Sequence, residues 1–462
     1  MIDNDLLYLV GNIFPDHELI DIRILRAETM GFSGACVEDL HCTWKINNNS
    51  STMPVEYLFL KHVVFESLQE TTPKATVVKN IRDRLSYQNE LNSMGNLVPE
   101  WRKYGINVPT LYESIHTFNN EKEICGNERF LFLSEGMRHR ATHIVEFGRN
   151  EFSSTLRCMA RMHAVYMGLC GNSSLSQNQN EDDEGKGPSP ENKDTVTDIM
   201  PNAHSINSKY GVWSQGTHLA LSKRPAGEVD GLASIWKDFC AAFAWPDLAD
   251  VGEKLMQVAP MVSELLSSTN HDRNYKSSTI IHGDMKPANI FFPREKHTEG
   301  NNTCTAVDYD DVYVIDFQWT GIGLGVTDIV YMIATACSDE CLSTLDIDRD
   351  VLLPYYNMLC EVYTLRHQSQ GGSSSEEATG LNEYSYTSLQ IDFKLALLDY
   401  VRWAVAYRLK GQTPAKYAEQ RENVNINLGA YRRSEAIMRF LFDKTKVYLE
   451  ELDSILRIPE KT

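Results

Sequence analysis

No apolar run in this chain approaches the ~20 residues that a membrane-spanning helix requires. Basic residues are also short. The 44 Lys and Arg face 63 Asp and Glu, for a formal net charge of −19. That balance argues against a nucleic-acid surface, which needs a basic stripe to neutralise phosphates, and against docking on anionic lipid. The ten cysteines form no CxxC pair. Cys337 and Cys341 stand closest, at helical i,i+4 spacing, with no His or Cys group beside them that suggests zinc. They read as free, mostly buried thiols of a reducing compartment. The opening Met1-Ile2-Asp3-Asn4-Asp5 lacks the basic flank and apolar core of a signal peptide, so a cytoplasmic location is expected. No internal repeat is visible. What is present is the composition of a globular protein: 462 residues, 42% hydrophobic, enough for two or three domain-sized cores.

Three stretches read as insertions. Asn172–Asp194, within an expected disordered segment 172–200, is polar, acidic and nearly free of apolar residues, so burial cannot offset its ordering entropy. His367–Gly380 holds a Gln-Gly-Gly-Ser-Ser-Ser-Glu-Glu run, and Arg294–Asp311 is the third.

The richest segment is Ile280-Ile281-His282-Gly283-Asp284-Met285-Lys286-Pro287-Ala288-Asn289-Ile290-Phe291-Phe292, followed by Val312-Tyr313-Val314-Ile315-Asp316-Phe317-Gln318. Ile280 and Ile281 read as a short buried strand, Gly283 permits a sharp turn, and Pro287 stiffens the loop that delivers Asn289. Val312–Ile315 is a second strand that ends by projecting Asp316. Phosphoryl transfer is mainly positioning and charge neutralisation. It needs a carboxylate within reach of the incoming hydroxyl and oxygen ligands for Mg²⁺. Asp284 is the expected base, with Asn289 and Asp316 as metal ligands. The plainer reading is a buried Asp capping a turn and an Asn in a hairpin. Two strands, the glycine and the second Asp in this order favour the chemical one.

Upstream, Ile22–Glu28 and Ala35–Cys42 have the strand character of a hairpin around Met30-Gly31-Phe32-Ser33-Gly34. Gly31, Ser33 and Gly34 are candidates to bring backbone N–H groups against phosphate oxygens, though such glycines are also common in hairpin loops. The strand Val55–Val63 carries Lys61, either a snorkelling residue or a partner of the α- and β-phosphates. A helix is expected over Ala75–Met94 with Val78, Ile81 and Leu85 inward. Its Glu90 is a candidate partner for Lys61, or a solvent-facing glutamate. Strands at Val108–Glu113 and Arg129–Leu133 follow. The second runs into Ser134-Glu135-Gly136-Met137, where the backbone of Glu135 and Met137 is expected to meet adenine. Beyond this hinge the pattern turns helical, over Leu156–Ala164, Leu232–Leu266 and Asp392–Arg408. His163 reads as a structural hydrogen-bonding residue. Tyr400, Trp403 and Tyr407 share a helical stripe, read as core, as a cage for a quaternary ammonium, or as an apolar wall.

With these residues placed, the chain resembles the aminoglycoside phosphotransferase and choline kinase superfamily, and within it the ecdysteroid-kinase-like branch. The resemblance rests on His282-Gly283-Asp284 with Asn289, on Ile315-Asp316-Phe317-Gln318, and on Asp328-Ile329 after Gly321-Ile322-Gly323-Leu324-Gly325. Met159–Ala164, Tyr87 with Glu90, and Val108-Pro109 add to it, over roughly Phe32–Tyr331. It implies a two-lobed, α+β, protein-kinase-like fold. A small antiparallel sheet with one helix would span residues 1–135, and a mainly helical lobe residues 136–462. It also implies ATP and Mg²⁺ as cofactors and a small hydroxyl-bearing substrate. Met285-Lys286-Pro287 departs from the commoner family sequences, and a lysine there either contacts the transferred phosphate or is solvated. Two other functions stay open. A protein kinase is opposed by the eleven residues between Asp316 and Asp328, too few for an activation segment, and by the absence of an Ala-Pro-Glu motif. A silent scaffold is opposed by the presence of Lys61, Asp284, Asn289 and Asp316 together. The acceptor and the oligomeric state are not legible.

Overall fold

The computed structural model describes residues 4–29, 35–47, 50, 53–66, 68, 72–119, 127–168, 209–267, 277–294, 312–369, 384–423 and 425–456. Helix α1 (Asn4–Ile13) precedes a five-stranded antiparallel sheet. Its strands are β1 (Glu18–Thr29), β2 (Cys36–Lys45), β3 (Tyr57–Phe65), β4 (Leu111–Asn119) and β5 (Asn127–Glu135), in the order β1-β2-β3-β5-β4. Period-two alternation gives the sheet two apolar faces. On one, Leu6 and Val10 of α1 pack with Ile22, Leu40, Leu58 and Leu133. On the other, Val63, Phe65, Phe130 and Phe132 receive Tyr87 of α2 (Lys74–Asn96). A short α3 (Val98–Lys103) follows. The chain thus adds α1 and α3 to the one long helix that the sequence predicts there.

The remainder is mainly helical: α4 (Arg149–Tyr166), α5 (Leu232–Ala242), α6 (Val251–Leu266), α7 (Val326–Ala336), α8 (Asp339–Ser343), α9 (Leu353–Ser369), α10 (Tyr386–Trp403), α11 (Pro414–Arg421) and α12 (Glu435–Leu456). Two small sheets interrupt it. One pairs β7 (Ser278–Ile281) with β10 (Gly321–Leu324). The other orders β6 (Ala141–Thr142), β8 (Ile290–Pro293) and β9 (Tyr313–Val314) as β6-β8-β9. Helix α7 is buried almost all round, which marks it as the central helix of this part. Among the described residues no helix is long and apolar enough to cross a membrane.

Several sequence expectations need correction. The helix expected over Leu232–Leu266 is two helices. Pro246 disfavours helical backbone at Trp245, Ala244 adopts φ 55°, and Trp245 turns into the aromatic cluster of Phe239, Phe243 and Phe442. The strand expected over Val108–Glu113 starts at Leu111, because Pro109 has no N–H for the ladder and Arg102 draws the Val108 and Pro109 carbonyls away. The inner face of α2 is not Val78-Ile81-Leu85. It runs through Ile81, Arg84, Tyr87, Asn89, Glu90 and Ser93. His367–Ser369, assigned to a loop, close helix α9, where the Arg366 guanidinium bonds the Ala164 and Val165 carbonyls. The rest of that stretch, residues 172–200 and residues 295–311 lie outside the described residues.

Candidate active site

Strand β7 delivers His282, Gly283 and Asp284 into a turn that only glycine suits. Gly283 has φ 80°, and a Cβ there would collide with the Trp319 carbonyl. The turn is clamped from behind by Asp328 of α7, whose carboxylate accepts the His282 N–H at 2.7 Å and the Gly283 N–H at 2.9 Å. His163 of α4 holds that carboxylate at 3.1 Å and the Tyr355 hydroxyl at 2.9 Å with its other nitrogen. His163 is therefore a structural residue, as the sequence reading has it. His282 in turn reaches the Ile315 carbonyl at 3.0 Å and accepts the Asp284 N–H at 3.3 Å.

Asp284 is buried. Its Oδ2 receives Lys286 Nζ at 2.7 Å and Asn289 Nδ2 at 3.2 Å. Its Oδ1 has no partner at hydrogen-bonding geometry, although the Tyr331 hydroxyl lies near enough to favour the ionised form. Burial pushes this carboxyl up, but Lys286, His218 and Tyr331 together hold it below its ordinary value. Burial opposes charge on Lys286 as well, and Asp284 and Asp316 overcome it, so its pKa is raised. Asn289 ends the short turn Pro287–Asn289 and spends its amide nitrogen on Asp284, bonding the backbone carbonyl at 2.8 Å. Its oxygen is the group left for a cation. His143, which the sequence did not flag, places Nδ1 3.2 Å from the Pro287 carbonyl and 3.0 Å from the Ile290 carbonyl. Burial lowers its pKa to about 4, so the neutral ring donates there.

Across from Asp284, Lys61 on β3 meets Glu90 of α2 at 2.7 Å and Asp316 at 3.3 Å. Burial disfavours its charge, yet Asp316 and Glu90 outweigh that and raise its pKa. The Tyr87 and Phe132 rings stand 5.0 and 5.6 Å from the ammonium. Asp316 takes left-handed backbone, φ 67° and ψ 70°, a conformation rare outside glycine and concentrated at functional sites. In the segment expected to be the hinge, the Glu135 N–H is spent on the Thr110 carbonyl at 2.8 Å. The Met137 carbonyl accepts from Arg140 and Ala141 at 3.0 and 2.9 Å, and the Met137 side chain is buried against Phe291. Gly31, Ser33 and Gly34 lie outside the described residues.

Residues 229–367 match the ecdysteroid kinase-like family. The segment holds Asp284, Asn289, Asp316 and Asp328 and spans about three-tenths of the chain. It is the branch that the motifs resemble. No curated protein matches the chain at a significant level. Among solved structures, the chain is similar to a microcompartment-associated aminopropanol kinase, with 11% identity over 97% of this chain and 98% of the other, TM-score 0.40. It is similar to an amicoumacin kinase in complex with AMP-PNP, Ca²⁺ and Ami, with 10% identity over 97% and 94% of the two chains, TM-score 0.37. An ethanolamine kinase of Plasmodium vivax shows 12% identity over 96% and 92%, TM-score 0.34.

Sequence reasoning missed one residue that joins the two halves of the site. Asn89, beside Glu90 on α2, is fully buried. It donates to the Phe317, Gln318 and Thr320 carbonyls at 2.9, 3.2 and 2.9 Å and accepts the Trp213 N–H at 2.8 Å. It fastens the loop after Asp316 to the helix that carries Glu90. Its only sequence signal is an Asn in a helix interior, where the residue type is disfavoured.

Proposed function

We propose that this chain is an ATP-dependent phosphotransferase acting on a hydroxyl group of a small molecule. The reading rests on one observation. Lys61 lies between Glu90 and Asp316 at 2.7 and 3.3 Å, in a site whose other half is Asp284 bonded to Asn289 at 3.2 Å. A lysine braced by a glutamate suits the α- and β-phosphates of a nucleotide. Asp284 Oδ1, ionised and without a partner, suits an incoming hydroxyl: it would accept the hydrogen bond, orient the oxygen and take the proton as the bond to phosphorus forms. Lys286 on the other carboxylate oxygen keeps Asp284 ionised. At the hinge, the Glu135 carbonyl and the Met137 N–H are the groups that would meet an adenine edge.

The donor set fits magnesium. Asn289 supplies an amide oxygen and Asp316 a carboxylate that is 28% exposed. Among the described residues no cluster of three or more His, Cys, Asp or Glu side chains forms a cage for a metal. Two hard oxygen ligands, with phosphate and water for the rest, are what Mg²⁺ ordinarily takes. When bound it neutralises charge on the phosphates. A cytoplasmic setting, where ATP is present, accords with this reading.

The test is transfer from γ-labelled ATP with Mg²⁺ into a metabolite pool, with Asp284→Ala as the blank. Label should move to small molecules and stay on ATP in the variant. Transfer to protein in preference to every small molecule, or transfer unchanged in Asp284→Ala, would sink the proposal.

A further inference from the structure

The wall running away from Asp284 is aromatic and unusually rich in unsatisfied polar atoms. The His218 ring lies 5.9 Å from Tyr331, 5.4 Å from Trp319 and 5.4 Å from Trp403. Beyond Trp403 stands Arg408, its guanidinium 5.5 Å from the Trp403 ring and 4.6 Å from the Tyr407 ring. Along this wall Asp284 Oδ1, His218 Nδ1, Tyr400 Oη, Trp403 Nε1 and Arg408 Nε are all buried without a hydrogen-bond partner. Buried polar atoms are nearly always bonded, so a run of orphans beside a reactive carboxylate marks where a ligand's polar groups sit.

The backbone shows how Arg408 comes to face this way. Helix α10 gives way to a π-helical turn over Ala404–Arg408, in which the Leu409 N–H reaches back to the Ala404 carbonyl at 3.1 Å. Such turns shift helical phase and often accompany functional sites. The shift breaks the stripe read from the sequence: Tyr400 and Trp403 are buried, whereas Tyr407 is 50% exposed.

Charge then selects the ligand. Lys286 is answered by Asp284 at 2.7 Å, and Arg224 by Glu228 at 2.6 Å. Arg402 is answered by Asp399 at 2.8 Å and Glu228 at 3.2 Å. Arg408 has no carboxylate within ion-pair distance among the described residues, so its charge is the one these pairs leave unanswered. Two of the three rings that would cage a quaternary ammonium already carry a cation: Arg224 stands 4.4 Å from Tyr407, and Arg408 lies over Tyr407 and Trp403. A cationic acceptor would meet like charge there, despite the acidic chain as a whole.

We propose that Arg408 binds an anionic group on the acceptor, so that the molecule phosphorylated here carries a carboxylate or a comparable oxyanion along with its reacting hydroxyl. This rests on the phosphotransferase reading of Asp284. The Trp403 indole N–H and the Tyr400 hydroxyl supply further donors to the same oxygens. The γ-phosphate of ATP is the other oxyanion that Arg408 could meet, and the nucleotide KM distinguishes the two.

The experiment separates a metabolite pool by ion exchange into anionic, neutral and cationic fractions. Each is offered to the full chain with labelled ATP and Mg²⁺, and retention of each fraction's components is measured in parallel by equilibrium dialysis without nucleotide. The anionic fraction should accept label best, and Arg408→Gln should lower that transfer by about tenfold or more with the KM for ATP unchanged. Arg408→Lys, which keeps the charge, should restore part of it and guards against a misfolded glutamine variant. Arg408-dependent retention of anionic compounds without any transfer would support the anion site and overturn the phosphotransferase reading instead. Best transfer to the cationic or neutral fraction would overturn the proposal. So would an Arg408→Gln effect confined to the KM for ATP, or failure to retain any anionic compound.

Discussion

Asp284 does its proposed work because two opposing effects on one buried carboxylate resolve in favour of charge. Burial raises its pKa, and Lys286 is the largest influence pulling it down. A base held below its ordinary pKa stays ionised to lower pH, so the acid limb of the rate profile should lie below the usual carboxylate range. Lys286→Met removes that charge and lets burial dominate. Its acid limb should move to higher pH, which a pH series of kcat/KM would show. An unmoved limb would mean that Lys286 does not set the ionisation of Asp284. These candidates could be read from the sequence because Asp284 and Asn289 sit on one short loop and Asp316 closely follows the apolar strand β9. Asp328, after the glycine-rich stretch Gly321–Gly325, was part of the family resemblance, but its service as acceptor for two backbone N–H groups of the turn was not legible. Nothing near it in sequence announces that role.

Helix α2 is the element that the sequence described least well and on which the site depends most. An amphipathic reading looked for an apolar stripe, whereas the helix buries Arg84, Asn89, Glu90 and Ser93 between the sheet and the loop after Asp316. The carbonyl partners of Asn89 lie more than 200 residues away along the chain and Trp213 lies 124 away, distances no periodicity reports. Asn89→Ala would take one bond from each of three carbonyls and from the Trp213 N–H, all of which keep a second partner. It should cost about 2 kcal/mol in chemical denaturation and raise the KM for ATP, because the loop after Asp316 loses its side-chain tie to the helix that carries Glu90. A drop in stability with nucleotide binding untouched would confine Asn89 to the fold. The break between α5 and α6 was partly written in Ala244-Trp245-Pro246, and reading it needed the weight given to proline rather than to hydrophobic period. The π-turn after α10 had no such signal, and it is what separates Tyr407 from Tyr400 and Trp403.

At the scale of the molecule, the two lobes meet over a tryptophan pair that carries a buried lysine. Trp213 and Trp319 stack at 6.0 Å, Arg82 of α2 stands 5.8 Å from Trp319, and Lys223 lies 4.8 Å from Trp213. Lys223 bonds the Gln215 carbonyl and, at 3.1 Å, the Thr217 carbonyl, and among the described residues no carboxylate lies within ion-pair distance of it. Burial, aided by Arg82, lowers its pKa to about 7. Between about pH 7 and about 10 the unfolded chain would hold a proton that the folded chain has released, so this group makes stability rise with pH across that window. The stability of the wild type relative to Lys223→Met should therefore improve from pH 7 to 10 in urea unfolding. A difference that stays flat would show that the Trp faces and carbonyls keep Lys223 charged. The overall plan of antiparallel sheet and helical lobe was legible because strand and helix periods differ. The arrangement of the acceptor wall was not, because His218, Trp319, Trp403 and Arg408 come from three separate stretches.

In the proposed reaction Lys61 and Asp316 hold the nucleotide and Asp284 takes the proton. The decisive measurement is the rate of γ-phosphoryl transfer from saturating Mg–ATP to the small-molecule fraction in Asp284→Asn. The rate should fall by about 10²–10⁴-fold while the affinity for Mg–AMP-PNP stays at the wild-type value. A rate within a few-fold of wild type, or a loss of rate that merely follows a loss of nucleotide affinity, would contradict it.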